Sequence, residues 1–294
     1  MAYRTDLAVE LLENLRGRDE LSGVSEREYE REGLHIHEAE VTTERAAQLL
    51  GKPCGRYLTL SLEALSRREE EAFPRSVRAL AALIETLLPP LDSAAPVLIA
   101  GLGSRSITPD AVGPRSADHV IATRHLISRS PEFFASWRSV SVLAPGVLGQ
   151  TGVETGEIVR GVLDHVRPRA VIAIDALAAG RLSRLVRTVQ LADTGIVPGS
   201  GVNNARAALD RQTLGVPVLS IGVPTVADGG SLAHEIAQQL DGAQCEALDD
   251  LSQPFIITTR DIDREVADTA RLIGYAVNMA LQHISVEEID LYLS

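Results

Sequence analysis

Asp110 and Asp175 each follow a short apolar run, Val97 to Ala100 for the first and Val171 to Ile174 for the second, and each lies close to turn-forming residues or a strand end. In open α/β sheets the chemistry sits beyond the carboxyl ends of the strands, which is where both aspartates fall. One aspartate in such a place reads equally as a helix cap. Two of them suggest a pair. If they face each other across a cleft, both charges cannot persist cheaply, so one proton is shared and one carboxyl is held neutral. The ionised partner can then take a proton from water while the other donates to the carbonyl oxygen or the leaving nitrogen. Such a pair hydrolyses an amide without serine, cysteine or metal.

Two further segments carry small and polar residues at strand ends. Leu143 to Gly156 holds four glycines and ends near Glu154, and it is either a backbone that approaches a ligand closely or a mobile connection. Gly149, Thr151 and Glu154 are its candidate substrate contacts. Asp193 to Asn203 is the second, and Asp193, Ser200 and Asn203 are candidates to line a peptide groove.

Other chemistries find little support. Gly101 and Gly103 begin a dinucleotide-binding pattern, but Ser106 stands where the third glycine belongs and the helix starts late, after Pro109. No Gly-x-Ser-x-Gly elbow is present. The histidines, among them His35 and His37 in an acidic stretch that reads as exposed, make no metal-binding spacing. Cys54 and Cys245 are far apart and read as buried small hydrophobes. No cofactor and no metal are expected. The formal charge of −12 argues against a nucleic-acid surface, which needs a basic patch. No run approaches a membrane span and Met1 to Asp6 lacks a signal-peptide core, so the expected location is cytoplasmic.

These residues need a scaffold. With 294 residues and 45% hydrophobic content, the chain can bury a sizeable core. Apolar runs at Val97–Ala100, Val140–Leu143, Ala170–Ile174, Val189–Ala192 and Val216–Val223 alternate with helical stretches. That pattern predicts an α/β fold: an open, mostly parallel, doubly wound sheet with helices on both faces. Gly156–Val166 and Asn203–Thr213 read as crossover helices, Ser231–Leu240 as another, and Asp261–Leu281 as a long helix packed on the sheet. Tyr57–Leu62 alternates as a strand does, followed by a helix over Val77–Leu88. Residues 1 to about 50, rich in Glu and Arg, read as a surface or regulatory segment apart from Leu7–Leu15.

Taken in order, the segments resemble the germination proteases, which degrade small acid-soluble spore proteins. The resemblance rests on Arg4-Thr5-Asp6-Leu7-Ala8, on Gly101 to Gly103 with Thr108-Pro109-Asp110-Ala111-Val112-Gly113-Pro114, and on Ala144 to Thr155. It continues through Ala173 to Ala179, Asp193 to Asn203 and Ile221 to Val226, so it spans nearly the whole chain. It implies that Asp110 and Asp175 are the catalytic pair. It implies a self-processing zymogen cut between Asp6 and Leu7, giving a propeptide of residues 1–6 and a single peptidase domain of residues 7–294. It also implies cleavage between Glu or Asp and a hydrophobic residue, a homotetramer, location in the spore core, and a fold related to the hydrogenase maturation proteases. The chain departs from the family pattern at Val197, where histidine is expected. Two alternatives stay open: a metal-dependent maturation-type protease on the same fold, and a catalytically silent relative that binds spore proteins.

Overall fold

The apolar runs become strands of one sheet. In the computed structural model, which describes residues 5–15, 22–200, 206–230 and 255–294, that sheet has nine strands. They are β1 (Val24–Arg31), β2 (Leu34–Val41), β3 (Gly55–Ser61), β4 (Val97–Gly101), β5 (Val140–Leu143), β6 (Ala170–Ala179), β7 (Thr188–Ala192), β8 (Val218–Asp228) and β9 (Ile256–Ile257). Their order is β1-β2-β3-β7-β8-β6-β4-β5, with β9 paired to β8. Strands β5, β4, β6 and β8 run parallel, and β3 and β1 point the same way across antiparallel neighbours β7 and β2.

Helices cover both faces, as continuous apolar strands require. On one face the helices Ala72–Leu87, Val112–Asp118 and Ile262–Gln282 pack on Leu58, Ile99, Ile172, Ile174, Leu191 and Ile221. On the other, helix Thr155–Val166 presses Val159 and Leu163 against Leu98, Ala100, Val171 and Ala173. Beside it, helices Ala8–Leu15 and Glu44–Leu50 cover Ala39, Val41, Tyr57 and Ala192. Residues three and four apart on Ile262–Gln282, such as Val266, Ala270, Ile273 and Val277, form the buried stripe that its spacing predicts.

Several expectations need correction. The first fifty residues are not merely a surface segment, because β1, β2 and helix Glu44–Leu50 extend the sheet. Strand β1 is an edge strand whose residues stay wet on both faces, so it carries no apolar alternation to find. Charge holds it instead: Glu38 takes Arg27 at 2.7 Å and Arg56 at 2.8 Å from the two neighbouring strands. His37 is buried, 2.8 Å from Glu26 across the β1–β2 ladder, rather than solvated. Cys54 is exposed in the turn before β3 and is not a core residue. The crossover helix expected over 203–213 reduces, in its described part, to the single turn Arg211–Leu214, closed by an Asp210 and Thr213 capping box. Ser231–Leu240 and Cys245 lie outside the described residues.

Candidate active site

Asp110 is delivered by a tight corner at the end of β4. The Leu102 amide still bonds to the Ile174 carbonyl at 2.7 Å, and the chain then turns at Gly103, whose φ of 105° is open only to glycine. A Cβ on Gly103 would lie 2.9 Å from Asp110 Oδ1, so the missing side chain also makes room for the carboxylate. The 3-10 turn Thr108–Asp110 brings Asp110 Oδ2 within 2.8 Å of the Ser104 amide, which donates to it. Behind it, Gly113 lets helix Val112–Asp118 rest on the sheet, since a Cβ there would fall 2.2 Å from the Leu102 carbonyl oxygen and 2.4 Å from that of Ile174. Thr108 Oγ1 donates to Asp263 at 2.7 Å and ties the corner to the long helix.

Asp175 comes from within β6 and is only 5% exposed. Its carboxylate accepts from the following amide, Ala176, at 2.9 Å. Burial first, and then the charge of Asp110, push its carboxyl well above the usual carboxylate range, with Asp6 adding to the push. Burial also raises Asp110, against the Ser104 amide that favours its ionised form. Both carboxyls are displaced upward, and Asp175, the more deeply buried, is displaced further.

Both aspartates line one cavity of about 510 Å³. Its walls are apolar at Ile107, Val147, Leu148, Leu177, Val226 and Ile256, and a few polar groups converge on it, the usual make-up of a ligand site. Of the candidate substrate contacts, Gly149, Glu154 and Ser200 line it. Thr151 does not; its hydroxyl closes a local turn with Val153. Asp193 also stands apart, at the end of β7, where it accepts from the Arg56 amide at 2.8 Å. Asn203 lies outside the described residues. Val197, in the place where histidine is expected, is an exposed part of the cavity wall.

Three residues at or behind the cavity wall escaped the sequence, Arg206 and Thr225 lining it and Gln150 bracing it. Arg206 pairs with Glu154 at 3.4 Å across the rim. Gln150 donates to Ser104 Oγ at 2.9 Å and so braces the corner that holds Asp110. Thr225 lines the cavity with a buried hydroxyl that has no partner among the described residues, at the point where the β6–β8 register shifts between Leu177 and Ala178. The signal for Thr225 was present: Pro224-Thr225 interrupts an apolar strand, and such interruptions mark bulges. Among the described residues, no group of three His, Cys, Asp or Glu is arranged to hold a metal ion.

A family model, Peptidase_A25, described as Germination protease, matches residues 5–240. The chain belongs to the germination protease family. It is therefore a protease. A germination protease of Caldanaerobacter subterraneus subsp. tengcongensis is 40% identical over 96% of this chain and 95% of its own. One from Clostridium tetani is 34% identical over the full length of both, and one from Bacillus subtilis is 43% identical over 79% of this chain and 65% of its own. Among solved structures, a [NiFe] hydrogenase maturation protease HycI from Thermococcus kodakarensis KOD1 is similar with a TM-score of 0.37 at 16% identity, over 67% of this chain and 99% of that one.

In this germination protease the start of the chain reaches into the same cavity. Asp6 is one of the residues that line it, and Leu7 is fully buried against Leu177, Ala179, Leu185 and Ala227. The following helix is anchored by Glu10, whose carboxylate accepts from the Gly180 amide at 2.7 Å and the Arg181 amide at 3.1 Å, just past the end of β6. Burial raises the Glu10 carboxyl, while a hydrogen bond from Thr5, those two amides and the charge of Arg184 oppose it. No helix among the described residues is long and apolar enough to cross a membrane.

Proposed function

We propose that the protein is an endopeptidase that starts the degradation of small acid-soluble spore proteins during germination, cutting between Glu or Asp and a hydrophobic residue. Asp110 and Asp175 act as a pair. The observation that carries this reading is the buried Asp175 carboxyl, raised by its burial and by Asp110, in a cavity that both residues line.

In this mechanism the ionised Asp110 takes a proton from a water molecule as its oxygen attacks the scissile carbonyl carbon. The neutral Asp175 donates a hydrogen bond, and then its proton, to the carbonyl oxygen. The tetrahedral intermediate collapses when the amide nitrogen receives the proton that Asp110 took up and the carbon–nitrogen bond breaks. Asp175 regains its proton as the new carboxyl forms. The apolar walls keep the site poor in water, which strengthens each of these interactions. Gly149, Glu154 and Ser200 are the proposed substrate contacts that the cavity supports, and its apolar wall suits the hydrophobic residue after the cut.

The chain is made as a zymogen whose residues 1–6 are removed, leaving a single domain of residues 7–294. The support for this is the burial of Asp6 and Leu7 beside the aspartate pair. A homotetramer in the spore core completes the proposal, and the exposed Phe133, Leu291 and Tyr292 offer apolar surface for subunit contact.

The test is mass spectrometry of the products when the protein is mixed with a small acid-soluble spore protein. Cuts after Glu or Asp and before a hydrophobic residue support the proposal. An intact substrate, or cuts without regard to the preceding residue, count against it.

A further inference from the structure

Asp6 is held as a ligand is held. Its amide donates to the Ala178 carbonyl at 2.9 Å, and the Ala178 amide donates back to its carboxylate Oδ2 at 2.8 Å. Ser200 Oγ donates to the other carboxylate oxygen at 2.7 Å. Gln190 Nε2 donates to the Asp6 carbonyl at 3.2 Å, while Gln190 Oε1 accepts from the Ala8 amide at 2.7 Å. A residue bonded in this way extends the end of β6 as an added strand segment does, with main-chain bonds fixing its position and the side-chain seat selecting its type. The groups that select the carboxylate belong to β6 and to the turn at Ser200, so they stay in place when residue 6 is gone.

A cation stands by. Lys52, the only lysine of the chain, lines a neighbouring cavity of about 390 Å³ that shares Asp6, Ser200, Leu177 and Val197 with the larger one. It is partly buried and makes no ion pair within 4.0 Å among the described residues. Burial pushes its ammonium down from the usual lysine range, and the opposing influence is the charge of Asp6. A half-buried cation that lines the cavity Asp6 also lines, with no ion-pair partner within 4.0 Å among the described residues, can attract the carboxylate of a bound chain. Cutting the Asp6–Leu7 bond would also free an α-ammonium at Leu7 beside the vacated seat, adding a second positive charge.

We propose that the seat now filled by Asp6, made by the Ala178 amide and the Ser200 hydroxyl with the Lys52 ammonium lining the adjoining cavity, receives the acidic side chain that precedes the cut in a protein substrate, and that the unprocessed chain blocks it with its own Asp6. This rests on the endopeptidase reading above and assigns its acid preference to named groups. The main chain of such a substrate runs on into the larger cavity, toward Asp110 and Asp175.

The experiment uses the full-length chain, incubated until it has trimmed itself, and four peptides that differ only in having Glu, Asp, Gln or Asn before a Leu-Ala pair. Wild type should favour Glu and Asp over Gln and Asn by roughly tenfold or more, the weight of a charge-assisted contact. Lys52→Gln should bring that ratio close to one, through a higher KM on the acidic peptides, and Ser200→Ala should move it the same way. Lys52→Arg should restore part of the preference. A preference kept in both Lys52→Gln and Ser200→Ala overturns the seat but leaves the endopeptidase reading standing. An equal loss on all four peptides marks a structural role and also overturns the seat. A wild type without acid preference, or one that cuts none of the peptides, overturns both.

Discussion

The Asp175 carboxyl is buried in β6 and held above its usual range by its surroundings and by the charge of Asp110, which lines the same cavity. A carboxyl in that state costs stability once it must ionise. Its folded pKa lies above its unfolded one, so the folded chain binds more protons in the interval between them, and stability falls as pH rises from about 4 through that interval. Asp175→Asn keeps the acceptor for the Ala176 amide and removes the ionisation. It should melt above wild type at pH 7, by roughly 2–4 °C for each kcal/mol regained, and the difference should vanish near pH 4. Thermal melts of both proteins across that range check this; a lower melting temperature for the variant at pH 7 contradicts it.

The same two shifts set the pH dependence of cleavage. The acid limb follows protonation of Asp110 and the alkaline limb follows loss of the Asp175 proton, both displaced upward by burial. A bell-shaped kcat/KM profile is expected, with its alkaline limb above the range of an ordinary aspartate. A profile that is flat from pH 4 to 8 would show that neither carboxyl titrates in the rate-determining chemistry.

Close packing behind Asp110 makes a stability prediction. A methyl group at Gly113 meets two carbonyl oxygens, and one at Gly101 falls 2.3 Å from the Gly113 carbonyl oxygen. Gly113→Ala and Gly101→Ala should each lose about 1–3 kcal/mol in denaturant unfolding, as overpacked sites do. Gly149, which has open space around its Cβ direction, is the control, and Gly149→Ala should stay within about 0.5 kcal/mol of wild type.

A carboxylate pair that activates water needs no metal, and the described residues bring no third metal-binding side chain to Asp110 and Asp175. Cleavage should therefore continue at its full rate after dialysis against a chelator. Loss of activity that returns with a divalent cation would move the chemistry to a metal centre.

Much of the site was legible because strand ends and turn residues are local signals. Val97–Ala100 and Ala170–Ile174 are continuous apolar runs, and the Thr108-Pro109-Asp110 corner carries its own turn chemistry. The helices Thr155–Val166 and Ile262–Gln282 follow from their spacing. What the sequence hid depends on pairing across the chain. Strand β1 is stabilised by charges on β2 and β3 that only the register brings together. Strand β7 is buried along its whole length, as the parallel strands are, and nothing in its own residues states that it runs antiparallel to β3 and β8. The contact of Asp6 with Ser200 spans 194 residues and has no local trace.

The decisive rate is the cleavage of a small acid-soluble spore protein by Asp175→Asn beside wild type, with melting curves showing that both are folded. The pair mechanism predicts a variant that is at least as stable at pH 7 yet slower by roughly 10²–10⁴-fold, the contribution of a positioned acid or base. A folded variant that cuts the same bonds within a few-fold of the wild-type rate would contradict it.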